Sequence, residues 1–129
     1  MVHYQEDYLY GTEKQKIVLP QIIQHFQRDI KENGGQYSKF DFVDDLYNYE
    51  LKSRKNTLNR YPDTMITMNK LNKSSKGLIL LFNFTDCLAY IEYEPDLFKT
   101  FKTQNFSRAG FDWDKKDHIY IPIEYLTVI

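Results

Sequence analysis

The stretch Leu78–Phe84 is apolar at every position but Asn83, and it lies between Gly77 and Thr85-Asp86. It is too short for an ordinary helix and has no wet face, so it reads as the central strand of a sheet. Thr85-Asp86 turns the chain into Cys87–Tyr93, where Leu88, Tyr90 and Glu92 alternate with Ala89, Ile91 and Tyr93. That alternation is the pattern of a hairpin partner, closed by Glu94-Pro95.

Upstream, Thr12 and Gln15 have the spacing of a capping box, and Leu19, Ile22, Ile23, Phe26 and Ile30 recur at helical intervals. The spacing predicts a helix over 12–32, kinked at Pro20 and ended by Asn33-Gly34-Gly35. From Lys39 the period changes to two. Phe40 and Phe42 alternate with Lys39, Asp41 and Val43, and Asp44-Asp45 precedes Tyr47, Tyr49 and Leu51, which predicts a first hairpin. Residues 54–64 read as a loop, 65–67 as a short strand or turn, and 69–76 as a short helix. A polar excursion over 96–117 is expected to hold one short helix at 96–102. Residues 118–123 and 125–129 then read as β-structure, with Pro122 on an edge strand. The expected architecture is one α/β domain over residues 1–129, a small mixed β-sheet flanked by helices. Its core falls at about 12–93, followed by an irregular C-terminal extension, 94–129.

Composition narrows the class. A chain of 129 residues suits one core, and 16% aromatic content with 5 Gly and 4 Pro excludes disorder and low-complexity repeats. One cysteine, Cys87, excludes an internal disulfide and a thiolate zinc site. No apolar run approaches the roughly 18 residues that span a bilayer, and the start MVHYQEDYLY lacks the order of a signal peptide. The expectation is a soluble intracellular protein, cytoplasmic or nuclear, with no membrane partner. Net charge is only -1, but residues 51–76 carry seven basic side chains against one acidic, so the middle of the chain is a basic island.

The first hairpin places its side chains by arithmetic. A two-residue turn at Asp44-Asp45 pairs Val43 with Leu46, Phe42 with Tyr47 and Asp41 with Asn48. Alternation then puts Asp41, Glu50 and Lys52 on one face, with Phe40, Phe42, Tyr47, Tyr49 and Leu51 on the other. A four-residue loop keeps this parity; a slip of one residue breaks it. Two carboxylates suit Mg²⁺ or Mn²⁺, hard ions that retain waters and bind phosphate oxygens. An adjacent lysine orients water or stabilises charge on a phosphate, which is the chemistry of phosphodiester hydrolysis.

Asp41 followed by Glu50-Leu51-Lys52, within KFDFVDDLYNYELKSR, resembles the signature of the PD-(D/E)XK nuclease superfamily, including the Holliday-junction resolvases. Lys39-Phe40 stands where many members have a proline before the aspartate. The resemblance covers about residues 12–93 and implies a restriction-endonuclease-like core. It also implies metal binding by Asp41 and Glu50, catalysis by Lys52, a further acid at Glu13 on the first helix and a lysine at Lys70. An acid near a helix N-terminus is equally accounted for by the helix dipole. The substrate implied is DNA, with structure-selective cutting of branched or damaged duplexes, by a homodimer as one option. Backbone contact fits Ser53, Arg54, Lys55, Arg60, Lys70 and Lys73, because Lys and Arg contacts to phosphate dominate sequence-independent affinity. Tyr61 offers a stacking face or simple loop packing.

His3, His25 and His118 share no ligand spacing, and Cys87 reads as a small buried hydrophobe. Arg108 reads as a solvated loop residue, and Trp113 between Asp112 and Asp114 as packing for the tail. The alternatives are an RNA-directed nuclease with the same site, a non-catalytic nucleic-acid-binding module on the same fold, and a tyrosine-rich interaction protein.

Overall fold

A computed structural model describes residues 2–34, 39–71, 75–106 and 116–129. Lys73, Arg108 and Trp113 lie outside the described residues, as do the side chains of His3 and Lys70. The chain opens in helix α1 (Val2–Phe26), ten residues earlier than the capping pattern predicts; Thr12 and Gln15 lie within it and Pro20 sits exposed in its interior. The helix stops at Gln27, whose left-handed φ of 55° breaks the repeat after its N–H bonds Ile23 O at 2.9 Å. Asn33-Gly34 is therefore not the stop. Val18 and Ile22 are fully buried, while Ile17 and Ile23 are exposed, so the inward stripe is rotated from the predicted one and includes Gln15 three residues before Val18.

Among the described residues nine strands follow in two sheets. The larger runs β1-β2-β3-β5-β6-β9, formed by β1 (Lys31–Glu32), β2 (Phe42–Val43), β3 (Tyr47–Ser53), β5 (Gly77–Asn83), β6 (Leu88–Glu92) and β9 (Thr127–Val128). Among the described strands of this sheet β3 and β5 are the parallel pair, with Glu50 beside Leu80 and Lys52 beside Phe82; the other neighbours are antiparallel. The smaller sheet is antiparallel β4-β8-β7, from β4 (Asp63–Thr67), β8 (Lys116–Pro122) and β7 (Lys102–Phe106). The fold is mixed α/β. One-turn helix α2 (Pro95–Phe98) precedes β7, with Pro95 at its start, where a missing donor costs nothing.

The apolar strand β5 is central, and each of its faces is covered by a different layer. Ile79 and Leu81 join Tyr49 and Leu51 under Val18 and Ile22 of α1. Leu78, Leu80 and Phe82 pack with Ile66, Ile119 and Ile121 of the second sheet. The expected sheet flanked by helices is thus corrected: a helix covers one face and a sheet the other. In the segment expected as an irregular extension, the described residues supply β7, β8 and the outer strand β9, so the expected β-structure at the end of the chain is joined by a further strand. Pro122 ends β8, which is the middle strand of its sheet, not an edge. Where a short helix is expected over 69–76, a 3-10 turn spans Met68–Lys70, and residues 72–74 lie outside the described ones.

Candidate active site at the β2–β3 edge

The first hairpin closes through four residues, with Val43 opposite Asn48 and Phe42 opposite Tyr49. Asp44 explains the longer turn. Its Oδ1 accepts from Leu46 N at 2.8 Å and Tyr47 N at 2.7 Å, the local bonding that aspartate provides in turns. Oδ2 accepts from Arg28 Nε at 2.6 Å and the Tyr49 hydroxyl at 2.5 Å. Burial alone raises the Asp44 pKa, but these donors from Arg28, Tyr49, Leu46 and Tyr47 overcome it and hold the carboxyl well below the usual range. Lys76 Nζ donates to the Asp44 carbonyl at 2.7 Å, tying one member of the basic island to this turn.

Beyond Phe42 the ladder changes. The Asp41 N–H donates to Tyr49 O at 3.0 Å, so Asp41 and Phe42 both oppose Tyr49, as in a β-bulge. The bulge reverses parity: Phe42 packs beneath α1, whereas Phe40 joins the core on the opposite face, correcting the prediction that both share one side. It also turns the Asp41 carboxylate onto the edge of β3. Oδ2 accepts from Leu51 N at 2.8 Å, and Oδ1 accepts from Gln15 Nε2 of α1 at 2.8 Å.

Glu50 and Lys52 flank Leu51 and project from the face shared with Leu80 and Phe82. An Asp41 oxygen 2.8 Å from Leu51 N lies at most about 5 Å from the Glu50 Cα, because two covalent bonds separate that nitrogen from it. Asp41 therefore comes close to the Glu50 backbone at one amide and does not project from the face of the Glu50 side chain, which corrects the simple alternation. Glu50 is 5% exposed, and its Oε1 is 3.5 Å from Lys52 Nζ. Backbone alternation adds an oxygen: Arg54 N bonds Asn83 O on β5, so the odd residues of β3 direct N–H and C=O toward β2. The Leu51 carbonyl points to the same edge as the amide that Asp41 caps.

The expected acid at Glu13 is not part of this arrangement. Glu13 is exposed, and two residues along a helix place it about 200° from Gln15. Gln15 reaches Asp41 instead, and the signal for it was a lone amide on the apolar stripe. Ser53 is half-buried at the end of β3, while Lys55 and Arg60 are exposed. Arg54 is turned inward. It bonds Thr64 Oγ1 at 3.1 Å and Met65 O, lies 5.7 Å from the Phe82 centroid, and burial lowers its pKa, so it braces β4 against β3. His25 Nε2 lies 3.5 Å from the Tyr90 hydroxyl, His118 is buried, and burial followed by the Asp86 charge raises the Cys87 pKa.

Among the described residues no three His, Cys, Asp or Glu side chains gather as a metal cluster. Carboxylate, backbone carbonyl and water are the oxygen donors that Mg²⁺ and Mn²⁺ prefer. A cleft of about 600 Å³ lined by Arg28, Lys31, Asp44, Asp45 and Lys76 lies at the opposite end of β3, where its charges largely pair with each other. Among the described residues no helix is long and apolar enough to cross a membrane. Comparison of the chain with known protein families, curated proteins and solved structures gives no match.

Proposed function

We propose that this chain is a divalent-metal-dependent nuclease that hydrolyses phosphodiester bonds in DNA, built on a restriction-endonuclease-like version of the mixed α/β fold. The observation that carries the reading is the Asp41 carboxylate bonded to the amide of Leu51, the residue between Glu50 and Lys52. Asp41, Glu50 and the Leu51 carbonyl would hold Mg²⁺ or Mn²⁺. When bound, the ion supplies a local positive charge that acidifies water and polarises a phosphate oxygen.

The chain's own residues do the rest. Gln15 fixes the rotation of the Asp41 carboxylate through Oδ1 at 2.8 Å, leaving the Oδ2 side toward β3. Lys52, with its side chain 36% exposed, places an ammonium where an incoming phosphate meets Glu50, and it opposes charge that builds on the phosphate as its bond breaks. The turn clamped by Asp44 sets the pairing of Phe42 with Tyr49, hence the position of Asp41 on β3. Lys55 and Arg60 supply exposed charge for the sugar–phosphate backbone.

Labelled linear, single-stranded and four-way branched DNA, with RNA alongside, tests the reading in Mg²⁺, Mn²⁺ or chelator. Metal-dependent cutting that disappears in both Glu50→Gln and Lys52→Ala is expected. Activity that survives in both variants, or no cutting of any substrate by the parent protein, overturns it.

A further inference from the structure

Along one face of β3 the side chains run Glu50, Lys52, Arg54, and past Arg54 a second cleft opens. It has a volume of about 300 Å³ and is lined by Asn56, Tyr61, Asp63, Thr64 and Tyr120 among others. That is at the small end of ligand sites, with room for one planar heterocycle. Its wall is not finished like a core. Tyr61 is 52% exposed at the rim, and the Arg60 guanidinium carbon lies 5.1 Å from its ring centroid. Tyr120 projects outward from the middle strand of the second sheet, with Lys102 Nζ 5.6 Å from its ring centroid. An aromatic rim beside cations is the combination that holds a base by stacking and the attached phosphate by charge.

We propose that the Tyr61–Tyr120 cleft takes one unpaired base of the strand being cut, at the nucleotide next to the scissile phosphate; the proposal rests on the nuclease reading above. Placement supports it. Arg54, which lines the cleft, stands two residues beyond Lys52, about 7 Å along an extended strand, so the cleft opens next to the proposed catalytic lysine. Chemistry supports it too. The Asp63 carboxylate and the Asn56 amide line the cleft and offer an acceptor and a donor for the edge of a heterocycle, whereas a base inside a duplex is stacked and hidden from such a pocket. Branched and damaged DNA carries unpaired nucleotides at its irregularities, so the cleft supplies a physical basis for structure selection. Arg54 lines the cleft and holds its β4 wall through Thr64 and Met65.

The test is the affinity of the full chain, with Ca²⁺ in place of Mg²⁺, for a labelled single strand, the same strand as a blunt duplex, and the single strand carrying one abasic position. Tyr61→Ala, whose exposed site leaves folding intact as circular dichroism verifies, is expected to weaken single-strand binding about tenfold. Tyr61→Phe restores it, and duplex binding is unchanged in both. An abasic residue at the nucleotide beside the cut erases the difference between parent and Tyr61→Ala. Equal losses on single strand and duplex, a Phe variant as weak as Ala, or no effect on either substrate overturns the base cleft. A parent protein that loses single-strand affinity on Tyr61→Ala yet never cuts any nucleic acid retains the cleft and overturns the nuclease reading alone.

Discussion

Replacing Asp44 by Asn leaves the shape of the turn unchanged and removes its charge. An asparagine oxygen at the Oδ1 position keeps the bonds from Leu46 N and Tyr47 N, at 2.8 and 2.7 Å. At the Oδ2 position an NH₂ group then confronts the Arg28 Nε donor, and the Tyr49 hydroxyl loses its charged acceptor. Arg28 has solvent to turn to, so its share is small. Tyr49 is fully buried, and a hydrogen bond to a charged acceptor contributes about 1.5–3 kcal/mol. A loss of about 2–3 kcal/mol follows, which for a chain of 129 residues lowers Tm by about 7–11 °C.

The pH dependence has a definite sign. The folded Asp44 pKa is depressed below its ordinary 3.8, so the stability it confers is complete above that value and is lost as pH falls through the lower folded one. Urea denaturation at pH 7 should therefore separate parent from Asp44→Asn by the full amount, and the gap should narrow steadily below pH 3.8. The m-value should stay constant. A difference under about 1 kcal/mol at pH 7, or one that is the same at pH 3 as at pH 7, refutes the clamp.

Two further outcomes follow from the packing. Gln15→Ala removes the amide that fixes Asp41, and it should raise the Mg²⁺ concentration for half-maximal cleavage about tenfold while changing stability by about 1 kcal/mol. Metal titrations of the cleavage rate beside thermal melts check both halves of that statement. Gly77→Ala places a Cβ 2.6 Å from Cδ1 and Cε1 of Tyr47 at the start of the parallel pair, and it should cost about 1–3 kcal/mol in a denaturant titration.

Strand identity was legible wherever a segment was uniformly apolar or strictly alternating, as in β3, β5 and β6, because burial on one face or two leaves a direct trace in residue type. Register within the first hairpin was only half legible. Parity followed from alternation up to Phe42, but the bulge at Asp41 obeys backbone hydrogen bonding to Tyr49, for which no residue pattern codes. Asp44 was visible as a turn residue; its bonds to Arg28 and Tyr49 join positions 16 and 5 residues away and appear only when the chain is folded. The same holds for the second sheet. The pairing of β4 with β8 links Asp63–Thr67 to the far end of the chain, so polar exposed strands such as β7 read as loop. Gln15 illustrates the opposite case, since its position on the Val18–Ile22 stripe was present in the sequence, and the resemblance to a nuclease signature drew attention to Glu13 instead.

The proposed sharing of one cation between Asp41 and Glu50 is most directly tested by Mn²⁺ titration followed by electron paramagnetic resonance on the intact chain. One ion per chain is expected, with binding weakened at least about tenfold in Asp41→Asn and in Glu50→Gln separately and retained in Lys52→Ala. Unchanged Mn²⁺ binding in either carboxylate variant, or none in the parent protein, would contradict the account.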